Sequence, residues 1–390
     1  MERKWVTPFL KQCFVTAGVG LNVGQVGLVM AYTAVLLPQL RRPDSVIPID
    51  DISGSWIASI PGLALIIGNF TVPTIMAKYG RKKANLISVA IVCIGWLCIA
   101  GASSITILLT ARVLQGISLG MITSLGSILV GEYTSPKNRG SFLSTLSLFM
   151  SMETLTVHTV GSYLSWNITA YVCAALSLLN LIIVIFSPES PSWLADQGRY
   201  EDCEKVFVWL RGKNDGEELR NMIEVSQVAH GAKTEARVVD SCGKTLRRLL
   251  VNFISTSKKK EFYKPIIIVV HMYILAHWGG INLLAAFTLD TIHGIIGTEK
   301  YDTAVTISLD VQRLISSSVA VFIARRLKRR TLLLATTFVN IAALFTIGGY
   351  ALAKTKSLLP VDHPMIGIML MHIHMLSIAM GTLPLPLMVA

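Results

Sequence analysis

Residues 188–194 read Pro-Glu-Ser-Pro-Ser-Trp-Leu and lie where the chain changes character. Six long apolar runs precede this stretch, a charge-rich segment follows it, and apolar runs then resume. Because two prolines three positions apart prevent a continuous helix, the helix before them must end here. Ser190 is suited to cap a new helix with Pro191 in its first turn. The stretch therefore predicts a junction between helices near the middle of the chain.

The composition is too apolar for a soluble chain of this length. Of the 390 residues, 52% are hydrophobic and 15% are charged, and the mean hydropathy is +0.59. Lipid must therefore solvate part of the surface, and a helix needs about 20 residues to cross a bilayer. We identify ten candidate spans: 13–37, 56–76, 84–102, 106–131, 141–164, 168–187, 266–289, 303–324, 331–353 and 364–390. This pattern predicts an all-α polytopic membrane protein with the lipid bilayer as a partner.

The formal net charge of +12 reflects membrane topology rather than nucleic-acid binding. Most of the 35 lysines and arginines lie at the N-terminus and in every second loop, and few lie in the opposite loops. Cytoplasmic loops carry such an excess, so we expect the N-terminus in the cytoplasm. The basic loops would then face anionic lipid headgroups. We predict no nucleic-acid partner.

No pattern in the sequence is typical of an enzyme, a metal site or a cofactor site. The six cysteines are scattered without metal-ligand spacing, and no disulfide framework is expected. There is no phosphate-binding Gly-x-x-x-x-Gly-Lys-Ser/Thr run, which excludes ATP as the driving force. Nor does any nucleophile or pair of carboxylates suggest catalysis. We therefore predict a protein that is not an enzyme and holds no metal or cofactor.

Two basic turns occupy equivalent places in the two parts of the chain. Gly80 is followed by three basic residues after the second span, and 325–330 holds five after the eighth. This recurrence indicates an internal repeat with parallel halves. We predict a gating salt-bridge network that holds the cytoplasmic ends of the two halves together in one state, formed by Arg81, Lys82, Glu132, Arg139, Glu189, Arg329 and Arg330. The alternative is that such charges only extend to the membrane surface.

Short motifs along nearly the whole chain follow a family order. They are Gly80-Arg81-Lys82, Arg112-x-x-x-Gly116-x-x-x-Gly120, Glu132 to Arg139-Gly140, Pro188–Leu194, Gly198-Arg199, Leu210-Arg211-Gly212, Gly280-Ile281-Asn282, and Gly381 with Pro384-x-Pro386. With this set the chain resembles sugar porters of the major facilitator superfamily, closest in style to the insect facilitated trehalose and glucose transporters. Each motif alone is weak, and the ordered set makes the resemblance specific.

The resemblance implies the fold of that superfamily, with two parallel-related helical halves. We expect an N-terminal six-helix half at 1–187, a cytoplasmic linker with short helices at 188–264, and a C-terminal half at 265–390. Family members have twelve spans, so the ten found here give the C-terminal half four of six. The resemblance thus implies an incomplete chain, and an end inside an apolar run agrees with this expectation.

The resemblance also implies a sugar site at mid-membrane, where neutral side chains hydrogen-bond the hydroxyl groups. We predict that substrate is bound by Thr123, Ser147, His277, Asn282, Arg313 and Leu387. This set departs from the family pattern, because glutamines are missing from the fifth and seventh spans and Leu387 replaces a tryptophan. Arg313 and Asp310 lie three apart on one helix face. They predict either an intramembrane ion pair or, for Arg313, a substrate contact.

Glu153 and His158 are ionisable residues in the fifth span, which makes a proton-coupling role worth considering. Proton-coupled sugar porters carry an acidic residue in the first span, and this chain has none there. The resemblance therefore favours facilitated diffusion of trehalose or a hexose by alternating access in the plasma membrane. Two alternatives remain open: a non-transporting sensor or degenerate paralogue, and a carrier of another polar or anionic solute. The sequence does not specify an oligomeric state.

Overall fold

The computed structural model describes residues 7–212, 215–239, 255–280, 292, 302–326, 329–358 and 363–382. The regular structure in this part of the chain is helical. The first six helices are joined by short connections, so that successive helices run in opposite directions. They are α1 (Pro8–Leu40), α2 (Asp51–Tyr79), α3 (Arg81–Ala100), α4 (Ile105–Tyr133), α5 (Pro136–Tyr163) and α6 (Trp166–Phe186).

Local sequence sets the ends of these helices. α1, α2 and α4 follow side chains that accept a hydrogen bond from the first helical turn, namely those of Thr7, Asp50 and Ser104. Such caps satisfy backbone N–H groups that have no partner within the helix. Between α2 and α3 the chain turns at Gly80, whose φ of 98° lies in the region that favours glycine. The first basic turn is therefore very short.

The helix junction predicted at the middle of the chain is present. α6 ends at Phe186, and a short helix begins at Pro191 after Ser190, whose hydroxyl accepts a hydrogen bond from the backbone N–H of Trp193 at 3.3 Å. Two short helices and a longer one follow the junction: α7 (Pro191–Asp196), α8 (Tyr200–Arg211) and α9 (Gly216–Val239). They share a small apolar core that includes Leu194 and Phe207.

The remaining helices belong to the last part of the chain. They are α10 (Lys260–Trp278), α11 (Asp302–Arg326), α12 (Arg329–Thr355) and α13 (Pro364–Ser377), which continues into a π-helical turn at Ile378–Thr382. Eight helices in the described part are long and apolar enough to cross a membrane: α1 to α4, α6 and α11 to α13. The fifth predicted span, 141–164, corresponds to α5, and the described part of the seventh, 266–289, overlaps α10, while residues 281–289 lie outside the described residues. The multi-pass character of the chain is confirmed.

Small residues bring the backbones of α2 and α4 into contact. Gly116 of α4 lies against Pro61 of α2, and a Cβ atom built on Gly120 would lie 2.9 Å from the Cα atom of Gly68. Close backbone approach is a main source of helix association in lipid. The glycines of the Arg112 motif therefore hold α4 against α2.

The first six helices meet the last four along α5 and α11. Ser151 contacts Ser317, and His158 contacts Asp310. A step of seven residues along α5 thus matches a step of seven residues back along α11, as expected for antiparallel helices. This contact joins the two parts of the chain and positions the polar groups described below.

Candidate functional site

Four of the predicted network residues meet where α3 begins, and we call Arg81, Lys82, Glu132 and Glu189 the turn cluster. The guanidinium of Arg81 donates to the Oε1 atom of Glu132 from Nε at 3.2 Å and from Nη2 at 3.1 Å. The two side chains are 17% and 16% exposed, so this ion pair is largely shielded from water. It joins the start of α3 to the end of α4.

Glu189 caps α3 rather than pairing with a basic side chain. Its Oε1 atom accepts hydrogen bonds from the backbone N–H groups of Arg81, Lys82 and Ser190, each at 2.9 Å. The first N–H groups of a helix carry partial positive charge, so a carboxylate is favourable there. Gly80 is required because a Cβ atom at that position would overlap the carboxylate. The central junction is therefore bonded directly to the first basic turn.

Within the turn cluster, Lys82 contributes its backbone, while its Nζ atom donates to the carbonyl of Ile185 at 2.7 Å. Two other predicted network residues, Arg139 and Arg330, form no ion pair within the described part of the chain, and Arg330 is exposed. The side chain of Arg329 lies outside the described residues. Among the described side chains, the structure thus assembles the part of the network around α3.

Arg211 also bonds to this region, and it was not among the predicted network residues. Its Nη2 atom donates to the carbonyls of Thr134 at 2.9 Å and Glu132 at 3.3 Å, and its Nη1 atom lies 2.6 Å from a carboxylate oxygen of Glu218. The guanidinium also lies 4.8 Å from the ring centroid of Phe207. These contacts fasten α8 to the end of α4. In the sequence, the Leu210-Arg211-Gly212 motif was the feature that could have indicated this role of Arg211.

A buried arginine of α4, Arg112, is held by neutral groups. Its Nη1 atom donates to the carbonyl of Val29 at 3.0 Å and to the side chain of Gln115 at 3.1 Å, and its Nη2 atom donates to the hydroxyl of Thr33. The guanidinium also lies 5.7 Å from the ring centroid of Tyr32. Among the described residues it has no acidic partner. Hydrogen bonds from α1 therefore accommodate a charge that would otherwise be costly in the membrane.

The predicted substrate residues Ser147 and Arg313 lie on the two helices that join the parts of the chain. We define the α5–α11 seam as Ser147, Ser151, His158, Asp310, Arg313 and Ser317. The Oγ atoms of Ser151 and Ser317 are 3.1 Å apart, and Ser147 donates to a backbone carbonyl of its own helix at 2.8 Å. All six side chains are buried. The seam is thus a polar stripe within an apolar environment.

Asp310 contacts α5 rather than Arg313. Its Oδ2 atom lies 2.5 Å from the Nδ1 atom of His158, and the two side chains are 5% and 4% exposed. Among the described residues no ion pair joins Asp310 to Arg313, although the two are neighbours on α11. The Nε atom of the buried Arg313 has no hydrogen-bond partner among the described residues. A guanidinium with a free donor at this depth is available to a polar ligand.

Of the remaining predicted substrate residues, Thr123 has a described side chain, and it does not lie at the seam. Thr123 is exposed on α4, where its hydroxyl lies 3.3 Å from the side-chain oxygen of Asn69 of α2. His277 lies in α10, but its side chain is outside the described residues, as are Asn282 and Leu387 entirely. Within the described part of the chain, the structure therefore places Ser147 and Arg313 on facing helices and Thr123 elsewhere.

Glu153 and His158 point to different neighbours from the same helix, as their spacing predicts. The carboxyl group of Glu153 lies against Gly24 of α1, and His158 faces α11. Glu153 is 1% exposed, and neither of its carboxyl oxygens has a hydrogen-bond partner among the described residues. Glu153 is therefore enclosed within the first six helices and lies apart from the contact with α11.

The described residues contain no group of three or more His, Cys, Asp or Glu side chains arranged to hold a metal ion. Five cysteines, Cys13, Cys93, Cys98, Cys173 and Cys203, are free thiols. The charged and polar groups available to a ligand are therefore hydrogen-bonding side chains.

The comparison with protein families identifies the chain. The profile of the family described as "Sugar (and other) transporter" matches residues 12–390. The chain belongs to this family. It is 28% identical over 347 residues to the facilitated trehalose transporter Tret1 of Culex quinquefasciatus, covering 88% of this chain and 64% of that protein. It is 27% identical to Tret1 of Aedes aegypti, of which it covers 41%. The chain thus spans less than two thirds of these relatives.

Solved structures share the fold. The proton:xylose symporter XylE of the major facilitator superfamily, bound to 6-bromo-6-deoxy-D-glucose, superimposes with a TM-score of 0.79 at 16% sequence identity. The alignment covers 98% of this chain and 82% of that structure. The predicted all-α fold of the superfamily and the predicted resemblance to insect trehalose transporters are confirmed.

Proposed function

We propose that this protein carries a sugar, trehalose or a hexose, across a membrane by facilitated diffusion. Membership of the sugar transporter family supports a carrier, and relatives named as facilitated trehalose transporters support a sugar as the solute. The observation that carries the proposal furthest is the contact of α5 with α11 through buried polar groups. Such groups within a membrane mark a path for a polar solute.

Alternating access follows from the same contact. The halves at 1–187 and 265–390, joined by the linker at 188–264, would rock about the α5–α11 seam and open a central site to one side at a time. The turn cluster then holds the cytoplasmic end of the first half together while the halves move. The excess of basic residues at the N-terminus and in every second loop supports an N-terminus in the cytoplasm, and we propose the plasma membrane as the location.

The substrate site is proposed to lie between the halves. Ser147 of α5 and Arg313 of α11 offer hydroxyl and guanidinium groups, and Arg313 supplies donors that suit sugar hydroxyls. Thr123, His277, Asn282 and Leu387 complete the proposed set. Among these residues, Arg313 is the side chain whose free buried donor most needs a partner.

Facilitated diffusion is favoured over proton coupling by the surroundings of Arg112. Residues 8–40 of α1 contain no acidic side chain, and Arg112 is bonded there by the carbonyl of Val29 and the hydroxyl of Thr33. A proton carrier needs a group that changes protonation during the cycle, and neither a carbonyl nor a hydroxyl does so. Because α1 offers Arg112 no titratable partner, we propose that the carrier equilibrates its solute without a proton gradient.

Uptake by liposomes that contain the full-length protein tests this function. Labelled trehalose and glucose should enter faster than into protein-free liposomes and should compete with their unlabelled forms. The Arg313→Ala substitution should lower the rate of this uptake at least tenfold, because it removes hydrogen-bond donors to the sugar. A matched Lys356→Ala variant, at an exposed position after α12, should retain it.

Two results would count against the proposal. Entry of neither sugar above protein-free liposomes would contradict sugar transport. Unchanged uptake by Arg313→Ala for every solute that enters would contradict the site assignment, while transport itself would stand.

A further inference from the structure

A cavity of about 140 Å³ opens beside the His158–Asp310 pair. It is bounded by α1, α5 and α11, at the ends of these helices opposite the linker helices α7 to α9. Polar side chains that line it are Gln39, Arg42, Ser162, Thr303 and Thr306, together with His158. His158 is therefore one of the residues lining a cavity at the end of these helices that is the outer end in the proposed orientation.

His158 has one engaged and one free ring nitrogen. The Nδ1 atom lies 2.5 Å from the Oδ2 atom of Asp310, and the Nε2 atom is buried without a hydrogen-bond partner among the described residues. A carboxylate beside Nδ1 favours an N–H group there, which leaves a lone pair on Nε2. This lone pair is where a proton from outside water would bind.

Three charged groups lie close to His158. Asp310 is in direct, almost fully buried contact with it. Arg313 on α11 interacts electrostatically with the same Asp310, and Arg42 lines the cavity. Because electrostatic interaction weakens with distance, Asp310 is the counter-ion that a protonated His158 meets.

Other titratable groups facing α5 or α11 have different neighbours. On α5 itself, Glu153 lies on the side of α1 and of Cys173 from α6. Tyr32 of α1 lies under the guanidinium of Arg112 from α4. From α13, the Nε2 atom of His372 lies 3.3 Å from a serine hydroxyl of α11. Among the described contacts, the carboxylate that meets His158 is that of Asp310.

We propose that His158 and Asp310 form a proton-binding site, filled from outside through this cavity, that sets how tightly α5 holds α11. The incoming proton adds to Nε2, and no other covalent bond changes. The resulting imidazolium strengthens the contact with the carboxylate and favours closure of the outer side. Because the halves must separate on that side to admit substrate, external acid slows uptake. The inference rests on the proposed transport function and orientation.

The test is zero-trans sugar uptake by full-length protein in liposomes, with the internal pH fixed. The wild-type rate should fall about fivefold or more when external pH is lowered from about 7.5 to about 5.5, a range that spans the titration of histidine. His158→Gln should give the same rate at both values. The matched control His271→Gln, at an exposed position of α10, should keep the wild-type profile.

Exchanging the partners keeps the test decisive if His158→Gln is unstable. A double variant, His158→Asp with Asp310→His, re-forms the pair with its charges reversed in position and should regain a pH-dependent rate. Asp310→Asn removes the counter-ion and should flatten the profile. A wild-type profile in both His158→Gln and Asp310→Asn overturns the proposal. Sugar accumulation driven by a proton gradient and lost in His158→Gln also overturns it, since the proton would then be carried.

The thermal unfolding midpoint of detergent-solubilised protein separates this site from the function on which it rests. A wild-type midpoint that changes with pH more than that of His158→Gln supports the proton site even if no sugar is taken up. In that case the proposed function fails and the site stands. Conversely, sugar uptake with identical pH profiles in wild type and His158→Gln leaves the function and rejects the site.

Discussion

The turn cluster and the α5–α11 seam differ in how completely their polar groups are bonded. In the turn cluster, Glu189 accepts three backbone N–H groups, and Arg81 donates twice to Glu132. In the seam, Arg313 keeps a free buried donor, and His158 keeps a free ring nitrogen among the described residues. The turn cluster also has a buried atom without a partner among the described residues, Oε2 of Glu132, but both of its carboxylates accept hydrogen bonds through Oε1, whereas Arg313 and His158 keep unpaired nitrogen atoms.

This difference teaches where the molecule is fixed and where it can change. The turn cluster binds α3, α4 and the central junction of one half to each other, so breaking it leaves buried groups without partners. The seam lies between the first six helices and the last four, and some of its buried polar groups lack partners among the described residues, so they have the capacity to bond to other groups. A carrier needs both properties, a rigid half and an interface with alternative partners.

Replacing Glu189 should have the largest effect on stability, because its carboxylate accepts three hydrogen bonds in the turn cluster. Glu189→Ala should lower the free energy of unfolding by about 2–3 kcal/mol, since three N–H groups and the start of α3 lose their acceptor. Glu189→Gln keeps a side-chain oxygen and should lose less. The thermal midpoint of the solubilised protein measures both, and a midpoint unchanged in Glu189→Ala would contradict the capping role.

A double-mutant cycle at Ser151 and Ser317 measures how much one contact of the seam contributes to stability. Their hydroxyl groups are 3.1 Å apart across the two halves. We expect a coupling energy of about 0.5–1 kcal/mol between Ser151→Ala and Ser317→Ala, the range of a single neutral hydrogen bond. Unfolding measurements on the two single variants and the double variant give this energy. If the effects of the two substitutions on the free energy of unfolding were strictly additive, the contact would not stabilise the packing of α5 against α11.

The exposed pair of Arg199 and Asp202 on the linker helices should contribute least to stability among the three sets of contacts. The side-chain hydrogen bond from Arg199, at 2.7 Å, holds the pKa of Asp202 below its ordinary value. A lowered carboxyl pKa gives stability that is present above the ordinary value, near roughly 4, and is lost as pH falls through the lower one.

Both side chains of this pair are exposed, so salt screens the effect and it should be the smallest of the three. The measurement compares the thermal midpoints of wild type and Asp202→Asn at neutral and at acid pH. The small wild-type advantage should shrink on acidification and at high salt. An advantage that grows on acidification would show that the sign is wrong.

Local features made much of the fold predictable from the sequence. Two prolines ended one helix and Ser190 began the next, and Gly80 marked a tight turn, because these residues act through their own backbone and nearest neighbours. The ordered motifs extended this local information to the family. The ends of α1 and α5 lie within five residues of the ends of the predicted spans 13–37 and 141–164.

The site was harder to predict because its contacts are not local. Arg313 and Asp310 are close on one helix, which suggested a pair, but the position of α5 brings His158 to the Asp310 carboxylate. Which face of α5 meets which face of α11 depends on the packing of two halves far apart in sequence. Glu189 was predicted to meet the basic turn, and it does so through backbone groups that carry no sequence signal.

The most direct test of the account is sugar counterflow by the full-length protein in liposomes. Vesicles loaded with unlabelled trehalose or glucose should transiently draw in the labelled sugar, and the extent should not change when the proton gradient is collapsed by an ionophore. This is the result expected of a carrier that equilibrates sugar between two faces. Absence of counterflow for both sugars, or sugar accumulation that requires the proton gradient, would contradict the account.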